Sequence, residues 1–183
     1  MLSQNSKLDG TSIWGFGITP GMTCVHCNIK CYAVKGAYNV FAKSCVPHWD
    51  NNLTHTRCAG FIAEMYYDIA NKKQLTHVRV HTEGDFYSQE YLNKWARIAR
   101  LFPDKQFYAY TKALHLDFGS LPANFKIIQS IGGEHDGLID YAAPHAVVFD
   151  SEAELIAAGY TNCSKDDFKA ADPTVIKIGL VYH

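Results

Sequence analysis

No stretch of this chain is both long and apolar. The longest such runs, "AAPHAVVF" (Ala142 to Phe149) and "IKIGLVY" (Ile176 to Tyr182), fall far short of the roughly 20 residues a membrane-spanning helix needs, so no membrane association is expected. The opening "MLSQNSKLDG" has no basic segment leading into an apolar core, so no secretory signal is expected there, and a reducing cytoplasm is the expected location. Blocks of Lys and Arg are also missing, and the formal charge is -1. The chain therefore lacks the electrostatic footprint of a strong nonspecific nucleic-acid binder. Repeats, low-complexity tracts and linkers rich in Pro, Gly or Ser are absent as well, which argues for one domain across residues 1–183.

What is present is ordinary globular material. Of 183 residues, 48% are apolar and 19% charged, enough to bury a core without covalent staples. Eleven tyrosines and ten phenylalanines are scattered rather than gathered into a base-stacking platform, and packing accounts for them. "TSIWGFGIT" alternates as a first strand stopped by Pro20 and Gly21. Val34, Tyr38, Phe41 and Cys45 form a helical stripe that Pro47 is expected to end. Cys58, Phe61, Ile62, Met65, Tyr66 and Ile69 then share the face of a longer helix. "HVRVH" is a strand. Ser88 caps the next helix, whose buried face is Tyr91, Leu92, Trp95, Ile98 and Ala99. "QFYAYTK", "FKIIQSI", "HAVVFD" and "TVIKIGLVY" are further strands, with "SEAELIAAG" a short helix between the last two. Strands alternating with helices in this way imply parallel βαβ units, arranged either as an open, incomplete (β/α) barrel or as a flat doubly wound sheet. Both place function at the carboxyl ends of the strands. There the sequence puts the loop "TCVHCNIKCYA", then "HTEGD", "YTK" and "QSIGGEHD", four loops converging on one rim.

Six cysteines in a cytosolic chain point to metal rather than disulfides. Cys24, Cys27 and Cys31 follow the spacing C-x2-C-x3-C within the loop spanning residues 24–31. Thiolates are soft ligands, and three from one irregular loop can wrap a compact metal centre. Zinc remains a candidate, with His26 or His48 completing the set. The absence of a second C-x2-C favours an iron-sulfur cluster, in which a loop supplies three ligands and a fourth comes from elsewhere or leaves an iron open. Cys45 and Cys58 fall on helical apolar faces and are read as core residues. Cys163, isolated in the polar stretch "YTNCSKDD", is the candidate fourth ligand.

Beyond the cysteines, His81, Glu83 and Asp85 lie within five residues where a strand gives way to a turn. A histidine beside carboxylates suits acid-base work or ligand orientation; equally, Gly84-Asp85 is turn chemistry and Asp85 a helix cap. Lys112 can meet an anionic group at the end of its strand. His81, Asp85 and Lys112 are thus the candidate catalytic residues. Gly132 and Gly133 permit close backbone approach, whereas His115, His135 and His145 are read as packing or surface residues.

Four ordered motifs, "NSKL", the loop ending "CYA", "RVHTEGDFYSQEYLNKW" and "FYAYTK", resemble the gene 88 product family of small proteins carried by mycobacteriophages and other mobile genetic elements, over Asn5 to about Ser130. The resemblance implies a tail with further cysteines, where this chain has Cys163 alone. The arrangement is also similar to the radical SAM superfamily, whose partial (β/α) barrel carries a [4Fe-4S] cluster in a cysteine loop after the first strand. That superfamily uses C-x3-C-x2-C, the reverse of the spacing here, and a "GGEP"-like strand end in place of "HTEGD". The resemblance thus implies a [4Fe-4S] cluster held by Cys24, Cys27 and Cys31 with Cys163, serving redox or sensing. A radical enzyme using S-adenosylmethionine at an open iron, with a small-molecule ligand at the cluster rim, and a zinc-stabilised binding module are the alternatives.

Overall fold

The computed structural model describes residues 1–24, 27 and 42–182. Cys31 and the stripe residues Val34, Tyr38 and Phe41 lie outside the described residues. Among those described, short alternating segments form seven strands: β1 (Ile13–Phe16), β2 (His77–Val80), β3 (Gln106–Thr111), β4 (Phe125–Ser130), β5 (His145–Phe149), β6 (Thr161–Asn162) and β7 (Lys177–Val181). They join in one sheet of order β1-β2-β3-β4-β5-β7-β6 with every pairing parallel.

Register separates the two faces. Phe16, Val80, Ala109 and Ile127 stand in one row across β1 to β4, and Gly15, Arg79, Tyr108 and Lys126 in the row beside it; successive rows point to opposite sides of the pleat. The first row faces helices α1 (Ala42–Arg57), α2 (Phe61–Ala70) and α3 (Gln89–Leu101). It packs there with Leu53 of α1, Phe61 and Met65 of α2, and Leu92, Trp95 and Ile98 of α3. Phe16, Phe61 and Trp95 meet edge to face, with centroids 5.1 to 5.8 Å apart, a geometry the ring quadrupoles favour. Helix α4 (Glu152–Ala157) presses Leu155 onto Gly179 from the same side. The opposite face carries Ile13, Tyr108, Ile128, Ala146 and Ile178. It is covered by Leu8 of the amino-terminal segment and by Ala170 and Ala171 of α5 (Asp167–Ala171).

With α1 to α4 gathered on one face, the sheet curls into an open half-barrel, the first of the two expected arrangements. Several local expectations need correction. Pro47 does not end its helix: α1 continues to Arg57, and burial of Trp49, Leu53 and Thr56 beyond the proline offsets the backbone bond that its missing N–H forfeits. Cys58 is not on a helical face but exposed in the turn joining α1 to α2, and Cys45 is only half-buried. On α2, Phe61, Met65 and Ile69 are buried while Tyr66 is exposed. The connections from β3 to β4 and from β4 to β5 contain no α-helix, the second holding only a 3-10 turn at Asp136–Leu138. Among the described residues no helix is long and apolar enough to cross a membrane.

Candidate functional site at the carboxyl rim of the sheet

The loops leaving β1 and β2 are locked together. Ile18 N–H donates to the Glu83 carbonyl at 3.0 Å and Thr82 N–H to the Phe16 carbonyl at 2.9 Å. Gly84 has φ +83°, and a Cβ there would stand 2.4 Å from Ile18 Cγ1 and 2.9 Å from Thr23 Oγ1, so only glycine fits both the conformation and the space. Thr23, next to Cys24, is buried; its hydroxyl donates to the Thr19 carbonyl at 2.9 Å and accepts from Asp85 N–H at 3.3 Å. One hydroxyl thus fixes the start of the cysteine loop to the acidic turn.

Asp85 ties that turn to β3. Its Oδ1 accepts from Thr111 Oγ1 at 2.6 Å and from Phe86 N–H at 2.7 Å, and its Oδ2 accepts from Lys112 N–H at 2.8 Å. Burial pushes its carboxyl above the usual range, and these three bonds with the Lys112 charge pull back only part of the way. It does not cap α3; Ser88 does, accepting from Tyr91 N–H. Lys112 ties β3 to β4. Its ammonium donates to Ser130 Oγ at 2.7 Å, the Ile131 carbonyl at 2.9 Å and the Ser130 carbonyl at 3.4 Å. Burial lowers its proton affinity, while Cys27, Asp85, Asp136 and Cys24, in that order, act to keep it charged. After β4 the chain turns at Gly132 (φ +101°), both Gly132 and Gly133 N–H donate to the Asp136 carboxylate, and Gly133 forms an isolated antiparallel bridge with Cys27.

Cys24, Cys27, Asp85 and Lys112 therefore share one rim, as the loop order implies. The two described loop cysteines are half-buried; Cys31 lies outside the described residues. His81 and Cys163 are placed elsewhere. His81 has φ +65°, and its ring packs on Phe86 at 4.5 Å between centroids, with Nε2 3.0 Å from the Tyr91 hydroxyl. Phe86 and Tyr91 belong to the helix-side core. Burial holds the His81 imidazole at about 3, hence neutral, and its Nδ1 has no hydrogen-bond partner among the described residues. Cys163 is fully buried with Leu8, Tyr108 and Ile128. Burial raises its thiol, and the cations that oppose this are Lys126, Lys7 and Lys169, none of them the lysine beside Cys24 and Cys27. Among the described residues, no group of three or more His, Cys, Asp or Glu is placed to hold a metal ion.

The sequence reading missed the residues that assemble the rim. Thr23, Thr111, Ser130 and Asp136 join its loops, and only position betrays them: Thr23 precedes the first cysteine, while Thr111 and Ser130 end their strands. Glu83 is buried at 4% exposure and accepts from Thr82 Oγ1 at 2.6 Å, so it sits in the wall of the rim rather than in the opening.

Compared with known proteins, residues 1–180 match the family model described as Gene product 88. The chain belongs to the Gene product 88 family. The Gene 88 protein of Mycobacterium phage D29 is 41% identical over 59 residues, and that of Mycobacterium phage L5 is 39% identical over 59 residues. Each match takes in 32% of this chain and 25% of the phage protein, so the matched part spans about a quarter of either relative. No solved structure matches the chain. The Gene product 88 assignment bears out the resemblance read from the four motifs, and it runs as far as residue 180, within the last strand.

Proposed function

We propose that this Gene product 88 member is a cytoplasmic [4Fe-4S] protein of a phage or mobile element, with Cys24, Cys27 and Cys31 as ligands, acting in electron transfer or sensing. The observation that carries this reading is the position of Cys24 and Cys27. Both lie at the carboxyl rim, where their charge acts on the half-buried Lys112 ammonium, and Cys27 is joined to Gly133 by a backbone bridge. Thiolates so placed bring negative charge that a nearby cation and peptide N–H groups stabilise, the environment in which clusters are held. The two described donors are soft sulfur ligands of the kind that suit iron.

A second reading draws on Cys163. Because that thiol sits in the core among different cations, the rim offers loop cysteines without it, and a three-cysteine cluster leaves one iron open to a small molecule such as S-adenosylmethionine. Protein purified without oxygen tests both readings. A broad absorption band at about 400 nm with stoichiometric iron and sulfide supports the cluster, whereas a colourless protein carrying zinc contradicts it. Release of 5'-deoxyadenosine from S-adenosylmethionine after reduction supports the open iron, and intact S-adenosylmethionine contradicts it.

A further inference from the structure

We propose that the outer face of β4 carries a binding site for a small, neutral, apolar molecule, in a groove walled by the β3-β4 and β4-β5 connections. The site stands whether or not the rim holds a metal.

The groove exists because two crossovers bring no helix. Strands of a parallel sheet are ordinarily covered by the helices that join them, yet the connections leaving β3 and β4 contain no α-helix. Phe125, Ile127 and Gln129 follow the alternation that faces the helices on β1 to β3. Over them lies a cavity of about 500 Å³, within the roughly 300–1,000 Å³ typical of small-molecule sites. Phe118 and Leu121 stand in one wall, Leu138 and Ala143 in the other.

Both walls are pinned, so the groove keeps its shape without a ligand. Gln129 Oε1 accepts from Asp140 N–H at 2.8 Å, and its Nε2 donates to the Asp140 carbonyl at 2.8 Å, which holds the β4-β5 wall. The other wall hangs from α3: Asp117 N–H donates to Gln89 Oε1 at 2.8 Å, and Gln89 Nε2 donates to the Asp117 carbonyl at 2.9 Å. Asn124 Nδ2 then donates to the carbonyls of Ala99, Phe102 and Lys105. A preformed groove has little ordering cost to offset on binding.

The same bonds decide the class of ligand. Three polar side chains line the groove: Lys126, Gln129 and Asp140. Lys126 belongs to the inward row, and its ammonium donates to the carbonyls of Ala170, Asp172 and Val175 at 2.6 to 2.8 Å. The Gln129 amide is committed to Asp140. The Asp140 carboxylate accepts from Ala142 N–H at 2.9 Å, and the residue is exposed. These side chains leave no donor for an anion, whose burial without one is costly. A cation would meet Asp140 only in water, where an ion pair adds little. What the groove offers is apolar contact.

The experiment titrates the full chain with N-phenyl-1-naphthylamine, a neutral probe whose fluorescence rises in apolar surroundings, and with 8-anilinonaphthalene-1-sulfonate, the same rings carrying a charge. The expected result is a single equivalent of the neutral probe, with the sulfonate bound at least roughly tenfold more weakly. Leu138→Glu, at an exposed position that folding does not depend on, places a charge in one wall, and Ala143→Trp fills the space. Each should weaken the neutral probe about tenfold or more, while Tyr67→Glu, at an exposed aromatic of α2, leaves it unchanged. Absence of neutral-probe binding, equal binding of the sulfonate, or unaltered binding in both groove variants overturns the proposal. A chain that sediments as a dimer and takes up the probe only on dilution has its groove closed by a second copy, which overturns it as well.

Discussion

His81 is governed by one backbone angle. In an extended chain the residue after Val80 would point to the inner side of the sheet, toward the opening of the rim. At φ +65° the ring turns instead onto Phe86 and Tyr91 in the helix-side core. The cost of that left-handed conformation is about 1–2 kcal/mol for a residue with a Cβ, offset by burial of the ring. A neutral buried imidazole also makes stability depend on pH. In the unfolded chain it takes a proton below its ordinary 6.5, whereas in the fold it resists down to about 3. Its contribution is therefore complete above 6.5 and is lost as pH falls toward 3. Between pH 7 and pH 5 the wild type should lose about 2 kcal/mol that His81→Gln does not lose. Urea unfolding of both proteins at the two pH values checks this; parallel losses would show that the ring is accessible to protons in the fold.

At the scale of elements, α3 was fully legible in the sequence. Ser88 caps it, and Tyr91, Leu92, Trp95, Ile98 and Ala99 are all buried, because thirteen residues are long enough for the helical period to declare itself. Helix α1 was not, because the burial of Trp49, Leu53 and Thr56 that carries it past Pro47 has no signature in the sequence. Strand β6 and helix α5 are two and five residues long, too short for any period, and they exist because Asp166 caps one and β7 pairs the other. The contact of α4 with β7 is likewise invisible in sequence: a Cβ on Gly179 would stand within 2.3 to 2.7 Å of three Leu155 carbons. Leu155→Ala should therefore cost about 2–5 kcal/mol through the cavity it leaves, and Gly179→Ala about 1–3 kcal/mol through overpacking. Denaturant titration measures both. A neutral Gly179→Ala would mean that α4 shifts freely on the sheet.

Across the whole molecule, the loop order placed the rim correctly, because parallel strands carry their following loops to one edge. Which loop grips which was not readable: Thr23 to Asp85 spans 62 residues and Lys112 to Ser130 spans 18, and neither pair has a local signature. The same holds for the inner face. Asp167, 2% exposed, pairs with Lys7 at 2.9 Å and with Arg79 at 3.0 Å, joining the amino-terminal segment, β2 and α5 across the concave side. Burial alone would raise its carboxyl, but Arg79 and Lys7 hold it below the usual range. Removing it leaves two cations facing each other, so Asp167→Ala should cost about 3–5 kcal/mol, read by thermal unfolding. An unchanged midpoint would show that the apolar contacts of Leu8 and Ala170 close this face unaided. That closed inner core is also where Cys163 lies, and its burial there separates the functional question from the structural one.

Iron per chain in anaerobically prepared Cys27→Ala and Cys163→Ala proteins tests this separation most directly. The account predicts that Cys27→Ala loses its iron and its colour, while Cys163→Ala, if folded, keeps both. Full iron in Cys27→Ala, or loss of iron in a folded Cys163→Ala, would contradict a metal centre held by the cysteines of the rim.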